Sequence, residues 1–406
     1  MATSIFPTFF MAGFECSTFL WKDGERKDYI RLTGHDRHLS ADCECVKDLG
    51  IGVVREAVPW PFVDLGSGRY DWSRFDPVLE TLDDCGLVAI WDLFHYGLPD
   101  GCDPFEGDCR KRFVDYCQAV AERLKSRSGM APFFTPVNEI TFFAAGASDM
   151  AWMYPFAKGR NDELKRRLCQ MSIEAVKAIR DVIPEARMVH VDPMVHAVPP
   201  PDRPDLADEA HEHAYDDAYE GFDMLYGRRN PELGGSPEVL DIVGVNVYHF
   251  SQAQMNEDGS REVLGPRDPR RKPLSEMLLY AWNRYHLPIV IGETSGYQDR
   301  RAEWLRMTME ECFKALNEGV DLQGVCLYPF VDIPDWNSGE WAKIGVFDIS
   351  DLESCERIAH DPYIEELRRW ERVLDQPEHF EPDGGGVQLE EVRRHAREWA
   401  VQGEAA

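Results

Sequence analysis

No stretch of this chain approaches the ~20 consecutive apolar residues of a bilayer-spanning helix, so a membrane span is excluded. Positive charge is also scarce. Lys and Arg number 44 against 73 Asp and Glu, a net charge of −29 with a pI near 4.8. A surface so acidic repels nucleic acid and anionic membrane and disfavours a phosphorylated substrate. Ordered cysteine pairs are missing: 11 cysteines are scattered, with no C-x-x-C and none at zinc spacing to a histidine. An odd number without a framework implies reduced thiols in a cytoplasmic protein. Residues Met1 to Phe14 lack a basic leader and a cleavage site. No internal repeat occurs. These absences imply a soluble protein with no metal and no cofactor.

What is present is alternation. The 406 residues, 44% of them hydrophobic, can bury a large core. Short apolar runs at 8–14, 51–55, 87–92, 132–137, 188–191, 242–247, 288–292 and 324–327 read as strands. Between them lie segments of helical periodicity, at 41–49, 75–85, 109–126, 161–182 and 218–226, with Gly50 and Gly86 as helix stops. Eight β-α units predict an α/β protein, a (β/α)8 TIM barrel forming one catalytic domain over 1–375. Residues 197–217 read as an insertion, and Asn256 to Lys272 as a polar, Arg-rich loop. Past Ser350 the chain is charged. Helices are expected at 363–374 and 387–399, the second inside an acidic extension over 376–406 and preceded by a break at Pro382–Gly386.

Glu139 and Glu293 stand at or just past the C-terminal lips of the fourth and seventh runs, where a β/α barrel keeps its chemistry. Two carboxyls far apart in sequence suit a retaining glycosidase, one as acid/base and one as nucleophile. The competing reading of Glu139 is a helix-start glutamate favoured by the helix dipole. An ionised nucleophile needs a cation and donors nearby, and Arg55 and Tyr248 follow strands two and six. Arg55 could instead pair with Glu56, and Tyr248 could be a rim tyrosine. His95 and Asn138 are candidates for sugar hydroxyls. His190, His196, His211 and His213 lack the flanks of metal ligands and read as solvated loop histidines. Aromatics at strand ends (Trp60, Trp91, Tyr96, Phe142, Phe143, Tyr328, Trp336, Trp341) could stack on a sugar or fill a core.

With those residues placed, the chain resembles glycoside hydrolase family 1, the β-glucosidase-like retaining enzymes of clan A. Leu49 to Pro61 is similar to L-G-x-x-x-x-R-x-S-x-x-W-P, and Leu93 to Pro99 to L-x-H-W-D-L-P. Thr135 to Glu139 stands where T-x-N-E stands, with one extra residue. Asp241 to Tyr248 parallels D-F-I-G-I-N-Y-Y, and Pro288 to Glu293 parallels P-I-Y-I-T-E. Tyr328 to Trp336 lies over W-S-L-L-D-N-F-E-W without a gap. The resemblance implies Glu139 as acid/base, Glu293 as nucleophile, Arg55 and Tyr248 as its support, and His95, Asn138, Asp335 and Trp336 as sugar ligands.

The departures lie in the sugar-reading shell. The family's Gln after strand one has no clear counterpart, and the simplest alignment puts Leu20 there. Tyr96 replaces a Trp, Ile140 a Pro, Thr294-Ser295 an Asn-Gly, and Asp335 a Glu. An acid at Asp335 argues against 6-phosphosugars. The expected function is hydrolysis of a β-linked glycoside by double displacement, with carboxyls ~5 Å apart and a raised pKa at Glu139. Alternatives are a transglycosidase on the same site, a catalytically silent sugar-binding barrel, or another clan A glycanase. The expected partner is a small carbohydrate or glycoside substrate.

Overall fold

The apolar runs fold as the strands of a closed parallel barrel, in a computed structural model that describes residues 4–126, 131–336 and 338–375. The strands are β1 (Phe10–Gly13), β2 (Val53–Ala57), β3 (Val88–Asp92), β4 (Phe133–Thr135), β5 (Arg187–Pro193), β6 (Ile242–Asn246), β7 (Ile289–Thr294) and β8 (Leu322–Leu327). Each pairs with its sequence neighbours, and β8 closes on β1 through Ala12 opposite Leu327. This is the (β/α)8 architecture that the alternation predicts.

Strand side chains alternate between two cores. Met11, Val53, Ile90, Phe133, Val189, Ile242 and Val290 fill the interior, with Phe6 against Phe133 at 4.6 Å between ring centres. Phe10, Val54, Phe134, Val243, Ile289 and Ile291 belong to the outer layer shared with the helices. The same alternation puts Arg55 and Asp92 on the interior face, two residues above Val53 and Ile90. The helix Asn161–Val182 is typical of the outer ring. It buries Leu164, Leu168, Met171, Ala175, Ile179 and Val182, spaced three and four apart, with acids in its first turn and Arg180 in its last.

Several expectations are revised. β7 runs on to Thr294, so Glu293 lies within the strand. Half of the Arg-rich loop is a hairpin, with Arg261–Val263 antiparallel to Gln252–Met255. The thiols are not all reduced: Cys102 and Cys109 form a disulfide. Cys102 sits in the turn after β3 and Cys109 in the first turn of the next helix, which brings their Cα atoms to 5.1 Å, inside bridging range. His190 is not a loop histidine but buried within β5, with Nε2 on the Val239 carbonyl, and burial pushes its pKa down to about 4. The extension over 376–406, with its expected helix and glycine break, lies outside the described residues. Among the described residues, no helix is long and apolar enough to cross a membrane.

Candidate active site

Strict alternation would turn Glu293 outward, because Val290 faces the interior and Ile291 the helices. A bulge corrects this. Ile291 pairs with Val245 while Glu293, two residues on, pairs with the next residue, Asn246. The extra residue is Gly292, where a Cβ would lie 2.8 Å from both Asn246 Oδ1 and Val191 Cγ1. Thr294 then faces outward to accept from Trp304 Nε1 at 2.8 Å, and Glu293 faces the barrel axis.

There the Glu293 carboxylate is matched by donors. Arg55 Nη1 donates to Oε1 at 2.6 Å and the Tyr248 hydroxyl to Oε2 at 2.9 Å. Arg55 is fully buried, its guanidinium 5.1 Å from the ring centre of Tyr328. Its second nitrogen donates to Asp92 and to Asn138 Oδ1. The pair with Glu56 does not form, because Glu56 faces outward and binds His35. Although burial opposes it, the charges of Arg55 and His95 hold the Asp92 carboxyl below its usual range.

Glu139 is placed by strain. Its backbone is left-handed at φ 47 and ψ 62, a conformation costing a non-glycine residue ~1–3 kcal/mol. Its N–H donates to Val191 O at 3.0 Å, and Asp192 receives the Thr141 N–H at 3.1 and 3.2 Å, fixing the next turn. Glu139 does occupy the N-cap of helix Ile140–Ala144, but its carboxyl makes no cap bond. Instead Oε1 accepts from Asn246 Nδ2 at 2.7 Å and Oε2 from the Tyr96 hydroxyl. Among the described residues no cation pairs with this carboxyl. Burial, then the charge of Glu293, raises its pKa to about 8 against the pull of both hydrogen bonds.

The remaining candidates divide. His95 sits between Asp92 Oδ2 at 3.0 Å and Asn138 Nδ2 at 3.0 Å. Asn138 is fully buried with both ends of its amide engaged, Oδ1 by Arg55 and Nδ2 by His95 and Tyr96, so it braces the site from behind. Asp335 and Trp336 line the cavity, Asp335 exposed and Trp336 packed on Phe19 at 4.8 Å. Of the strand-end aromatics, Tyr96, Phe142 and Trp336 face the cavity, while Trp60, Phe143 and Tyr328 are buried.

One residue was missed. Glu15, two positions past β1, is 6% exposed and lines the same cavity. One oxygen accepts from Ser17 N at 3.1 Å and from Ser17 Oγ, and lies 3.7 Å from His95 Nε2. Burial raises its pKa, aided by the charge of Glu293 and opposed by His95 and Ser17. Leu20, where alignment pointed, is in a bridge with Arg26 and does not line the cavity. The available signal was the one that marked Glu139 and Glu293, an acid directly after an apolar run.

The cavity holds about 690 Å³ above these carboxyls. Beneath it, the donor atoms of Cys16, Asp92 and His95 lie within 4.8 Å of one another. Asp92 and His95 are bonded to each other and Asp92 also to Arg55, so a cation already serves this group. The arrangement of one carboxylate paired to a guanidinium and one carboxyl kept neutral can attack and protonate in turn.

No protein-family model matches the chain. In sequence it is 21% identical over 387 residues to the aryl-phospho-β-D-glucosidase of Bacillus subtilis, covering 77% of this chain and 80% of that one. It is 20% identical over 394 residues to β-glucosidase A of Thermotoga maritima, covering 84% and 86%. The solved structure of a Thermotoga maritima β-glucosidase in complex with glucoimidazole superposes with a TM-score of 0.75 at 16% identity, covering 91% of this chain and 99% of that one. An enzyme from Alicyclobacillus herbarius gives the same TM-score of 0.75 at 18% identity, covering 91% and 100%. The chain thus shares the β/α-barrel fold of these β-glucosidases and is similar to them in sequence along most of its length.

Proposed function

We propose that this protein is a retaining β-glycosidase in which Glu293 is the nucleophile and Glu139 the acid/base. The observation that carries the reading is the contrast between two buried glutamates in one cavity. Arg55 and Tyr248 each donate to one oxygen of Glu293, the setting that a nucleophilic carboxylate needs. Glu139 has no cation beside it among the described residues and keeps its proton near neutral pH. In the first step Glu293 attacks the anomeric carbon, forming a C–O bond to the enzyme, while the bond to the leaving oxygen breaks and that oxygen takes the Glu139 proton. In the second step Glu139 removes a proton from water, which displaces Glu293 and restores both groups.

The sugar is read by His95, Glu15, Asp335 and Trp336, an acidic set with an aromatic face. Lys343, between the cavity-lining Ala342 and Ile344, donates to Asp332 at 2.8 Å. A phosphate placed at Asp335 would therefore meet an acid, with the nearby Lys343 already engaged by Asp332. The proposal includes action on small glycosides in the cytoplasm by one barrel domain over residues 1–375.

Hydrolysis of aryl β-glycosides with gluco, galacto, manno, xylo, fuco and glucuronide glycones tests it, wild type beside Glu293→Gln. A 2-deoxy-2-fluoro glycoside of any active sugar should label Glu293, read by peptide mass spectrometry. Activity that survives Glu293→Gln, or a label elsewhere, would overturn the assignment.

A further inference from the structure

A second cavity of about 440 Å³ adjoins the catalytic one and shares His249, Gly296 and Tyr297 with it. It lies between the excursion after β6 and the segment that follows the nucleophile. Its far wall is the helix Arg301–Asn317, whose Trp304 is bonded to Thr294, the residue next to Glu293. The lining is unusually apolar for a surface. Val263 is 47%, Tyr297 44% and Met307 39% exposed, three of the nine large hydrophobic side chains so exposed among the described residues. His249 and Tyr297 meet at 6.1 Å between ring centres on the shared wall.

The lining of this cavity is balanced in charge, with Arg271 and Arg300 against Asp299 and Glu303, in a molecule that is strongly acidic overall. The stretch 256–272 carries five basic residues against four acidic, in a chain with 44 against 73 overall. Arg270 is satisfied by Asp268 and Arg300 by Glu303. Arg271 is not. Its guanidinium is half-buried in the cavity wall, donates to the Leu264 carbonyl at 2.8 Å, and makes no ion pair among the described residues, feeling only the more distant charge of Asp268, which is itself paired with Arg270. Arg261, on the same excursion, faces the catalytic cavity and is likewise unpaired among them. A cation partly removed from water without a counter-ion is a standing cost, and an anionic ligand group would relieve it. Aromatic and apolar walls around that cation fit a flat ring that bears an acid.

We infer that the second cavity receives the leaving group of the substrate, and that this leaving group is an aromatic aglycone carrying a carboxylate bound by Arg271. The inference rests on the glycosidase reading, since the glycone must occupy the cavity over Glu139 and Glu293 for the aglycone to reach Arg271.

The probe pair is 4-(carboxymethyl)phenyl β-D-glucoside and its methyl ester, whose methylene insulates the phenol so that the two leaving groups are matched. Binding is read by titration calorimetry on the Glu293→Gln protein, alone and combined with Arg271→Met. The acid should bind about tenfold tighter than the ester, and Arg271→Met should erase that difference while leaving the ester's affinity unchanged. Tyr297→Ala, at the exposed rim, should weaken both probes. Equal binding of acid and ester, or equal weakening of both by Arg271→Met, would overturn the inference. A kinetic arm separates it from the parent reading. In the otherwise wild-type protein, Arg271→Met should leave reactivation of a 2-fluoroglycosyl-enzyme unchanged, because the aglycone has departed by then. Failure of Glu293 to label at all sinks the glycosidase reading, whatever the calorimetry says of the cavity.

Discussion

The Tyr96 hydroxyl donates to Glu139 while its own oxygen accepts from Asn138 Nδ2 at 2.9 Å. Asn138 in turn receives Arg55, which holds Glu293. The proposed acid/base and nucleophile are thus two ends of one network, through a tyrosine where the resembling family has a tryptophan. A donor to the charged carboxylate lowers its pKa, so losing that donor raises it. Tyr96→Phe should move the basic limb of kcat/KM upward by roughly one pH unit. A limb that stays in place would mean that the bond does not act on the titrating group.

Glu293→Gln removes both the proposed nucleophile and a negative charge that helps keep Glu139 protonated. Hydrolysis should fall by at least about 10⁴-fold. The Glu139 carboxyl, followed by carbon NMR, should titrate below about 8 in this variant, because burial and the smaller effect of Asp192 are all that remain to raise it. In the wild type, proton NMR of the first-formed sugar should show the β anomer. An α product would demand a water between the carboxyls and a single displacement instead.

The barrel was legible because each strand is a short apolar run ended by a turn and followed by a helical period, a pattern that survives at 16% identity to its structural neighbours. Glu139 and Glu293 were legible because each follows such a run. The bulge at Gly292 was not, since register is a property of paired strands and Ile289 to Thr294 reads as a regular strand alone. Glu15 was hidden for a different reason. Block spacing carried the alignment to Leu20, whereas the chain turns at Glu15, within hydrogen-bonding reach of Ser17 and beside His95. The Cys102–Cys109 bridge was invisible because seven residues of separation become 5.1 Å only once the turn after β3 meets its helix.

Asp192 shapes the proposed acid/base without lining the cavity. Its carboxylate receives the N–H of Thr141, the second residue of the helix that Glu139 caps, and so steadies the left-handed backbone at Glu139. Burial raises the Asp192 pKa to about 7, against its bonds to Thr141. Asp192→Ala should lower kcat by roughly 10- to 100-fold through misplacement of the Glu139 carboxyl. KM should change little, because the sugar ligands stand on other strands. Aryl glycosides with highly acidic phenols, which need no proton, should be nearly insensitive. A uniform loss across leaving groups would instead point to a general loosening of the barrel.

On the far side of β2, His35 bridges two acids, with Nδ1 on Asp42 at 2.7 Å and Nε2 on Glu56 at 2.9 Å, and its ring stacks on Phe14 at 3.8 Å. Burial disfavours its charge, but Glu56 and Asp42 outweigh that and lift the pKa to about 9. The folded value exceeds the unfolded one, ~6.5, so protonation stabilises the fold. That contribution is complete below about pH 6.5 and is lost as pH rises through about 9. His35→Gln removes it and leaves Glu56 buried without its partner. Urea denaturation near pH 6 should place the variant ~3 kcal/mol below wild type. By about pH 10 the gap should have narrowed, because the wild-type imidazole has then lost its proton. A gap of constant size from pH 6 to 10 would mean that His35 stabilises the fold as a neutral ring, through packing on Phe14 and hydrogen bonding alone.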